Sequence, residues 1–194
     1  GLLVVCLWRG RLRWLGFAPV IIAALQPVLS DLPDVVLDES GRVIAVSDGA
    51  HGGVVLNPDR RDRFVRGVMK DRYGVSKQRW PKAGEANAEL GLSCDVFGCR
   101  LERNGTTVSL AMTPDAVAED CGAVNVLVAP LQFVDACRGS FVIDRGNLRR
   151  AGGHALYFGD GRVEMDTVAE AAGDRIWLRK PVTRQPVTRQ QPRP

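Results

Sequence analysis

Residues 14–29 (WLGFAPVIIAALQPVL) run for 16 positions without a charged side chain, directly after the cluster Arg9, Arg11 and Arg13. An uncharged run of that kind either enters a bilayer or is buried inside protein, so it sets the organisation of everything around it. It is shorter than the ~20 residues of an ordinary spanning helix, and Pro19, Gln26 and Pro27 interrupt it. Trp8 and Trp14 flank it as interfacial tryptophans do, and the three arginines suit the cytoplasmic side. Residues 1–30 are therefore read as the end of a membrane region, with a last transmembrane helix and an extracytoplasmic domain from Asp31 onward. Residues 1–8 (GLLVVCLW) are apolar in turn, and the expected whole is a polytopic membrane protein of which this chain is a piece. A signal peptide has the same basic-then-apolar order but no apolar stretch ahead of the basic part. The other alternative is a buried helix of a soluble domain.

The formal charge of +4 belongs to the ends, each of which carries three arginines and no acid. Residues 31–180 hold 20 basic and 22 acidic side chains, a net charge of −2. A body so close to neutral does not carry the broad positive face of a sequence-independent DNA-binding domain. With 45% hydrophobic residues, this body is too apolar to be disordered. The tail, residues 181–194 (PVTRQPVTRQQPRP), repeats PVTRQ and has two valines as its only apolar side chains, so it is expected to be disordered.

The body contains Cys94, Cys99, Cys121 and Cys137. Their spacing lacks the two-residue gaps of a structural zinc site, and an even number suits disulfides in an oxidising compartment. Four cysteines allow three pairings; joining Cys94 to Cys99 and Cys121 to Cys137 closes the shortest loops. Four reduced, buried thiols are the alternative.

From residue 31 the pattern alternates strand and helix. Residues 32–48 and 51–59 read as short strands broken by Ser-Gly, Asp-Gly and Gly-Gly turns. Residues 59–73 (DRRDRFVRGVMKDRY) read as a helix with Phe64, Val68 and Met69 on the core face, and residues 81–91 as a connector. Residues 108–112 form a strand, and Thr113 caps a short helix that has Pro114 at its first position. Residues 125–130 and 140–144 read as strands buried on both faces. Residues 154–158 and 162–168 flank a Gly-Asp-Gly turn. The expected fold is a layered mixed α/β domain over residues 31–180.

These elements in this order, with LPDVVLDESGRVIAVSD, DRRDRF, GLSCDVFGC, AEDC, VNVLVAP and FVIDRGNLRRAGGHALYF, resemble the C-terminal portion of the ComEC family of competence proteins. The resemblance implies a role in passing single-stranded DNA across the inner membrane during transformation, and a domain of the metallo-β-lactamase type. The metal chemistry of such domains needs a cluster of His and Asp ligands to ionise a bound water. Here only His51 and His154 are present, and residues 59–74 contain no histidine. By the resemblance, Asp115 stands at a metal-bridging aspartate and His154 at a final ligand. Pro130, Leu131 and Gln132 stand where a His-His pair would be.

Two surviving ligands do not make a catalytic metal site, so a degenerate, non-catalytic domain is expected, without metal or other cofactor. Asp115 is accounted for as a first-turn acid favoured by the helix dipole, and His154 as a strand-edge histidine. The remaining candidate is the charged helix. Arg60, Arg61, Arg63, Arg66, Lys70 and Arg72 outnumber Asp59, Asp62 and Asp71, beside Phe64 and Tyr73, and bases with interleaved aromatics suit single-stranded DNA. The alternative is a solvated helix with ion pairs such as Asp62–Arg66. The expected partners are single-stranded DNA, the membrane, the missing upstream membrane region and other DNA-uptake components. A surviving hydrolase that trims DNA and a plain protein-interaction module are the competing functions.

Overall fold

The structure, a computed structural model, describes residues 6, 10–29, 32–49, 51–132, 134, 137–159 and 162–173. The tail expected to be disordered lies outside them. The chain divides between Leu32 and Pro33 into two units.

In the first unit a 3-10 turn, Arg11–Gly16, leads into helix α1, Phe17–Leu29, of 13 residues. At 1.5 Å per residue this is about 20 Å long, against the ~30 Å of a hydrocarbon core. Among the described residues no helix is long and apolar enough to cross a membrane, so the transmembrane helix expected at residues 14–29 is not seen. Its first turn is spent on the 3-10 segment. Val20, Ile21, Ile22 and Leu25 of α1 are exposed.

The second unit is a mixed α/β fold of two sheets. Strands β1 (Val35–Leu37), β2 (Ile44–Ser47), β3 (Val54–Leu56), β10 (His154–Gly159) and β11 (Arg162–Thr167) form an antiparallel sheet in the order β11-β10-β1-β2-β3. The second sheet has the order β4-β5-β6-β7-β8-β9, from β4 (Ala86–Asn87), β5 (Leu92–Cys94), β6 (Gly98–Arg103), β7 (Thr106–Ala111), β8 (Val126–Ala129) and β9 (Phe141–Asp144). Here β7, β8 and β9 run parallel and the others antiparallel.

The period-2 geometry of the strands sets the layers. On β2, Ile44 and Val46 enter the core between the sheets, whereas Ala45, with neighbouring Val43, faces the opposite way. Helix α2 (Arg63–Tyr73) covers that second face with Val65, Met69 and Tyr73. On β8, Val126 and Val128 enter the central core, and Leu127 meets Ala116 and Val117 of helix α3 (Pro114–Asp120). The order is thus helix, sheet, sheet, helix, and residues 43–46 and β8 read as unbroken apolar runs because each is covered on both sides. Two short helices, α4 (Arg145–Ala151) and α5 (Val168–Ala172), pack on each other beside the sheets.

The structure differs from the sequence reading at several points. The segment 81–91 is no plain connector, since it contributes β4, and β5 and β6 follow. The β6–β7 hairpin turns at Asn104 and Gly105, both with positive φ (49° and 71°), the residue pair that a two-residue hairpin favours. Strand β9 is covered less fully than β8 because it is the edge of its sheet, and Phe141 is exposed. Helix α2 begins at Arg63, capped by Asp62, which accepts from Val65 N. Its core face is turned one residue from the expected one: Met69 is buried, but Phe64 is 80% exposed and Val68 50%.

Cys94 and Cys99 sit directly opposite each other on β5 and β6, with Cα atoms 4.0 Å apart, and lie at disulfide distance. Cys121 and Cys137, Cα atoms 5.5 Å apart, form the second such pair and close the outer layer around α3.

Candidate basic groove beside helix α2

After α2 the chain turns at Gly74 and returns along the sheet edge. Val75 bridges to Val54 of β3 in parallel, and Ser76 N donates to Val54 O at 3.2 Å. The approach is close enough that a Cβ on Gly53, whose φ is +83°, would stand 2.9 Å from Ser76 N. Between α2 and this returning segment lies an open groove of about 330 Å³, lined by Pro58, Arg60, Arg66, Lys70, Arg79 and Trp80 among others.

The groove's bases are not equivalent. Arg66 Nη1 donates to Asn57 O at 2.6 Å and to Asp59 O at 2.7 Å. Its charge is thereby committed to tying down the β3–α2 loop. The Asp62–Arg66 ion pair of the alternative, a solvated helix, does not form, because Asp62 caps the helix and Arg66 reaches the loop carbonyls. Arg79 lies 3.4 Å from Glu85 across the surface. Arg60, Arg61, Arg63, Lys70 and Arg72 are exposed, and among the described residues nothing holds their side chains. Arg79 and Trp80 were not singled out in the sequence. The QRWP run that contains them is the signal that could have found them.

Beneath the groove, Asp48 is buried and accepts from Ser76 Oγ at 2.5 Å, while His51 N and the His51 ring lie on its other oxygen at 3.2 and 3.3 Å. Ser, Asp and His are all present, but nucleophilic catalysis needs the imidazole between serine and carboxylate. Here the carboxylate stands between them, so His51 has no route to the Ser76 proton. The cluster joins the returning segment to the β2–β3 turn. The Ser76 hydroxyl is the main cause holding the Asp48 carboxyl below its ordinary range; burial opposes it, and His51 adds to the lowering. A depressed folded-state value stabilises above the unfolded value, near pH 4, and that contribution is lost as pH falls through the folded value. In urea unfolding from pH 7 to 3, Ser76→Ala should therefore be less stable than wild type near neutrality, and the gap should narrow below about pH 4. A gap independent of pH would mean that Ser76 acts through packing alone.

The metal-site remnants are not brought together. Asp115 is exposed in the first turn of α3, which Thr113 caps by accepting from Ala116 N, on the outer face of the second sheet. His154 is buried at the start of β10 in the first sheet, with Nδ1 2.8 Å from Gly152 O. Burial is the main cause that lowers its pKa, so it is neutral at pH 7. Among the described residues no group of three or more His, Cys, Asp or Glu side chains could hold a metal ion.

No family model, curated protein or solved structure matches this chain.

Proposed function

We propose that residues 31–180 act as a non-catalytic, extracytoplasmic domain of an inner-membrane DNA-uptake protein and guide single-stranded DNA along α2 and its groove. The observation that carries this reading is the set of unengaged bases, Arg60 and Arg61 in the loop before α2 and Arg63, Lys70 and Arg72 on it, of which Arg60 and Lys70 line a groove that contains Trp80. The body as a whole has a net charge of −2, so attraction must be local. Phosphate contact with adjacent aromatic surface is the chemistry of strand binding without sequence preference. The layered helix–sheet–sheet–helix order agrees with the layered class of fold that the resemblance implies, whereas the separate places of Asp115 and His154 give neither residue support as a remnant ligand. Two cysteine pairs at disulfide distance support an oxidising compartment. The uncharged, exposed face of α1 supports a position at a membrane.

The full chain should bind a short oligothymidylate weakly, with an affinity that falls with salt by roughly 0.7 log units per contacted phosphate for each tenfold rise. Replacing Arg60, Arg61 and Arg63 together by alanine should flatten the slope by about 2. An unchanged slope in a variant that still melts cooperatively would assign these arginines to a solvated helix and defeat the reading.

A second reading, a protein-interaction module, is favoured by the β5–β6 hairpin. Its tip exposes Val96 and Phe97, 75% and 47%, between the paired Cys94 and Cys99. If oligothymidylate does not bind, this reading takes precedence.

A further inference from the structure

Helix α2 has a crest turned away from its sheet, and two of the residues there have no explanation in the fold. Phe64 is 80% exposed and outside every core cluster. Gly67 sits in the middle of the helix, where glycine is the poorest helix former after proline. Packing does not require it, since a Cβ added at Gly67 would meet nothing within 4 Å. Its φ is also not in the left-handed region. The two lie three positions apart and so are neighbours on the helix surface, with Arg63 and Lys70 likewise one turn from Gly67 on either side.

From this juxtaposition we infer that the crest of α2 is a stacking site for an unpaired base, with Phe64 as the platform and Gly67 leaving the backbone bare so that the strand can lie close. Arg60, Arg61 and Arg63 take the flanking phosphates. Asp71, the acid on the same exposed face, lies one turn beyond Gly67, which draws phosphates toward the Arg60–Arg63 end. A duplex keeps its bases stacked inside and offers Phe64 no face, so the site selects single strands. The inference rests on the DNA-guiding reading and adds the residue that sets strand selectivity.

The test uses the full chain with a short oligothymidylate, a duplex of equal length and vesicles containing phosphatidylglycerol. Phe64→Ala should weaken oligothymidylate binding by about 5- to 150-fold, as loss of one stacked base does. The salt slope should stay unchanged, because no charge is removed, and duplex binding should hardly move. Gly67→Leu should raise the melting temperature by about 2–4 °C through helix propensity, yet weaken the same binding. A purely structural glycine cannot move those two readouts in opposite directions. Unaltered affinity in Phe64→Ala, with the triple arginine variant still impaired, would overturn the stacking site and leave the DNA-guiding reading in place. Equal losses for single strand and duplex would overturn the selectivity. Phe64-dependent binding to vesicles without binding to oligothymidylate would overturn both readings in favour of a lipid surface.

Discussion

Asp34→Ala is expected to destabilise the two-sheet domain by up to about 3–5 kcal/mol, the cost of leaving a largely shielded charge without its counter-charge. Arg103, at the end of β6, crosses from the second sheet to the first: Nη1 donates to Asp34 Oδ1 and Ser47 Oγ at 2.9 Å, and Nη2 to Ser47 O at 2.9 Å and Leu90 O at 3.1 Å. The other oxygen of Asp34 accepts from Phe158 N of β10 at 2.8 Å. Both side chains are largely shielded, 15% exposed for Arg103 and 17% for Asp34. The alanine variant leaves the guanidinium its Ser47 and Leu90 acceptors but no counter-charge, and it orphans the Phe158 amide. In a domain of this size the melting temperature should fall by roughly 10 °C or more. Asp34→Asn separates charge from geometry. It keeps one carbonyl oxygen for Arg103 or Phe158 but turns an NH₂ toward the other donor, so an intermediate loss is expected. Urea unfolding of the three proteins measures both. A loss under about 1 kcal/mol for the alanine variant would place this contact among ordinary surface ion pairs.

Reducing both cysteine pairs is expected to have an effect of similar size. Closing the longer interval, Cys121 to Cys137, a sequence separation of 16, stabilises by about 3 kcal/mol through loss of chain entropy in the unfolded state. The shorter, Cys94 to Cys99, a separation of 5, contributes about 2 kcal/mol by the same relation. Alkylation of unfolded protein without reductant, followed by mass spectrometry, should leave Cys94, Cys99, Cys121 and Cys137 unlabelled. Reductant should lower the urea midpoint, and Cys121→Ala with Cys137→Ala should reproduce the larger share. Four labelled thiols in protein taken from its native compartment would remove both the bridges and the support they lend to an extracytoplasmic location.

The alternation of strand and helix, the Thr113 cap with Pro114 behind it, the unbroken apolar run of β8 and the β10–β11 hairpin were legible because each rests on residues adjacent in sequence. The cysteine pairing with the shortest loops was legible for the same reason. The β6–β7 hairpin was missed although its Asn104-Gly105 turn is a local signal; the wet face of α2 was missed because it is set by packing. The 3.6-residue period offers two apolar faces on α2, one through Phe64 and Val68 and one through Val65, Met69 and Tyr73. The facing sheet, through Val36, Val43, Ala45, Val54 and Leu56, takes the second, and that choice leaves Phe64 outside as a candidate contact.

The candidate groove was half legible. Its helix bases stand out in sequence, but Arg79 and Trp80 join them only because the chain returns beside β3, a pairing between residues about twenty positions apart. Sequence also could not separate Arg66, spent on loop carbonyls, from its free neighbours, since all six bases have the same charge and differ only in what lies within reach. By itself, then, the sequence determined the class of fold, the near-neutral body and the lack of a histidine cluster at residues 59–74. All of these follow from composition and short-range geometry. The tertiary structure alone decided which helix face is wet, which arginine clasps the two sheets and which bases remain free, because each depends on contacts between segments that only folding brings together.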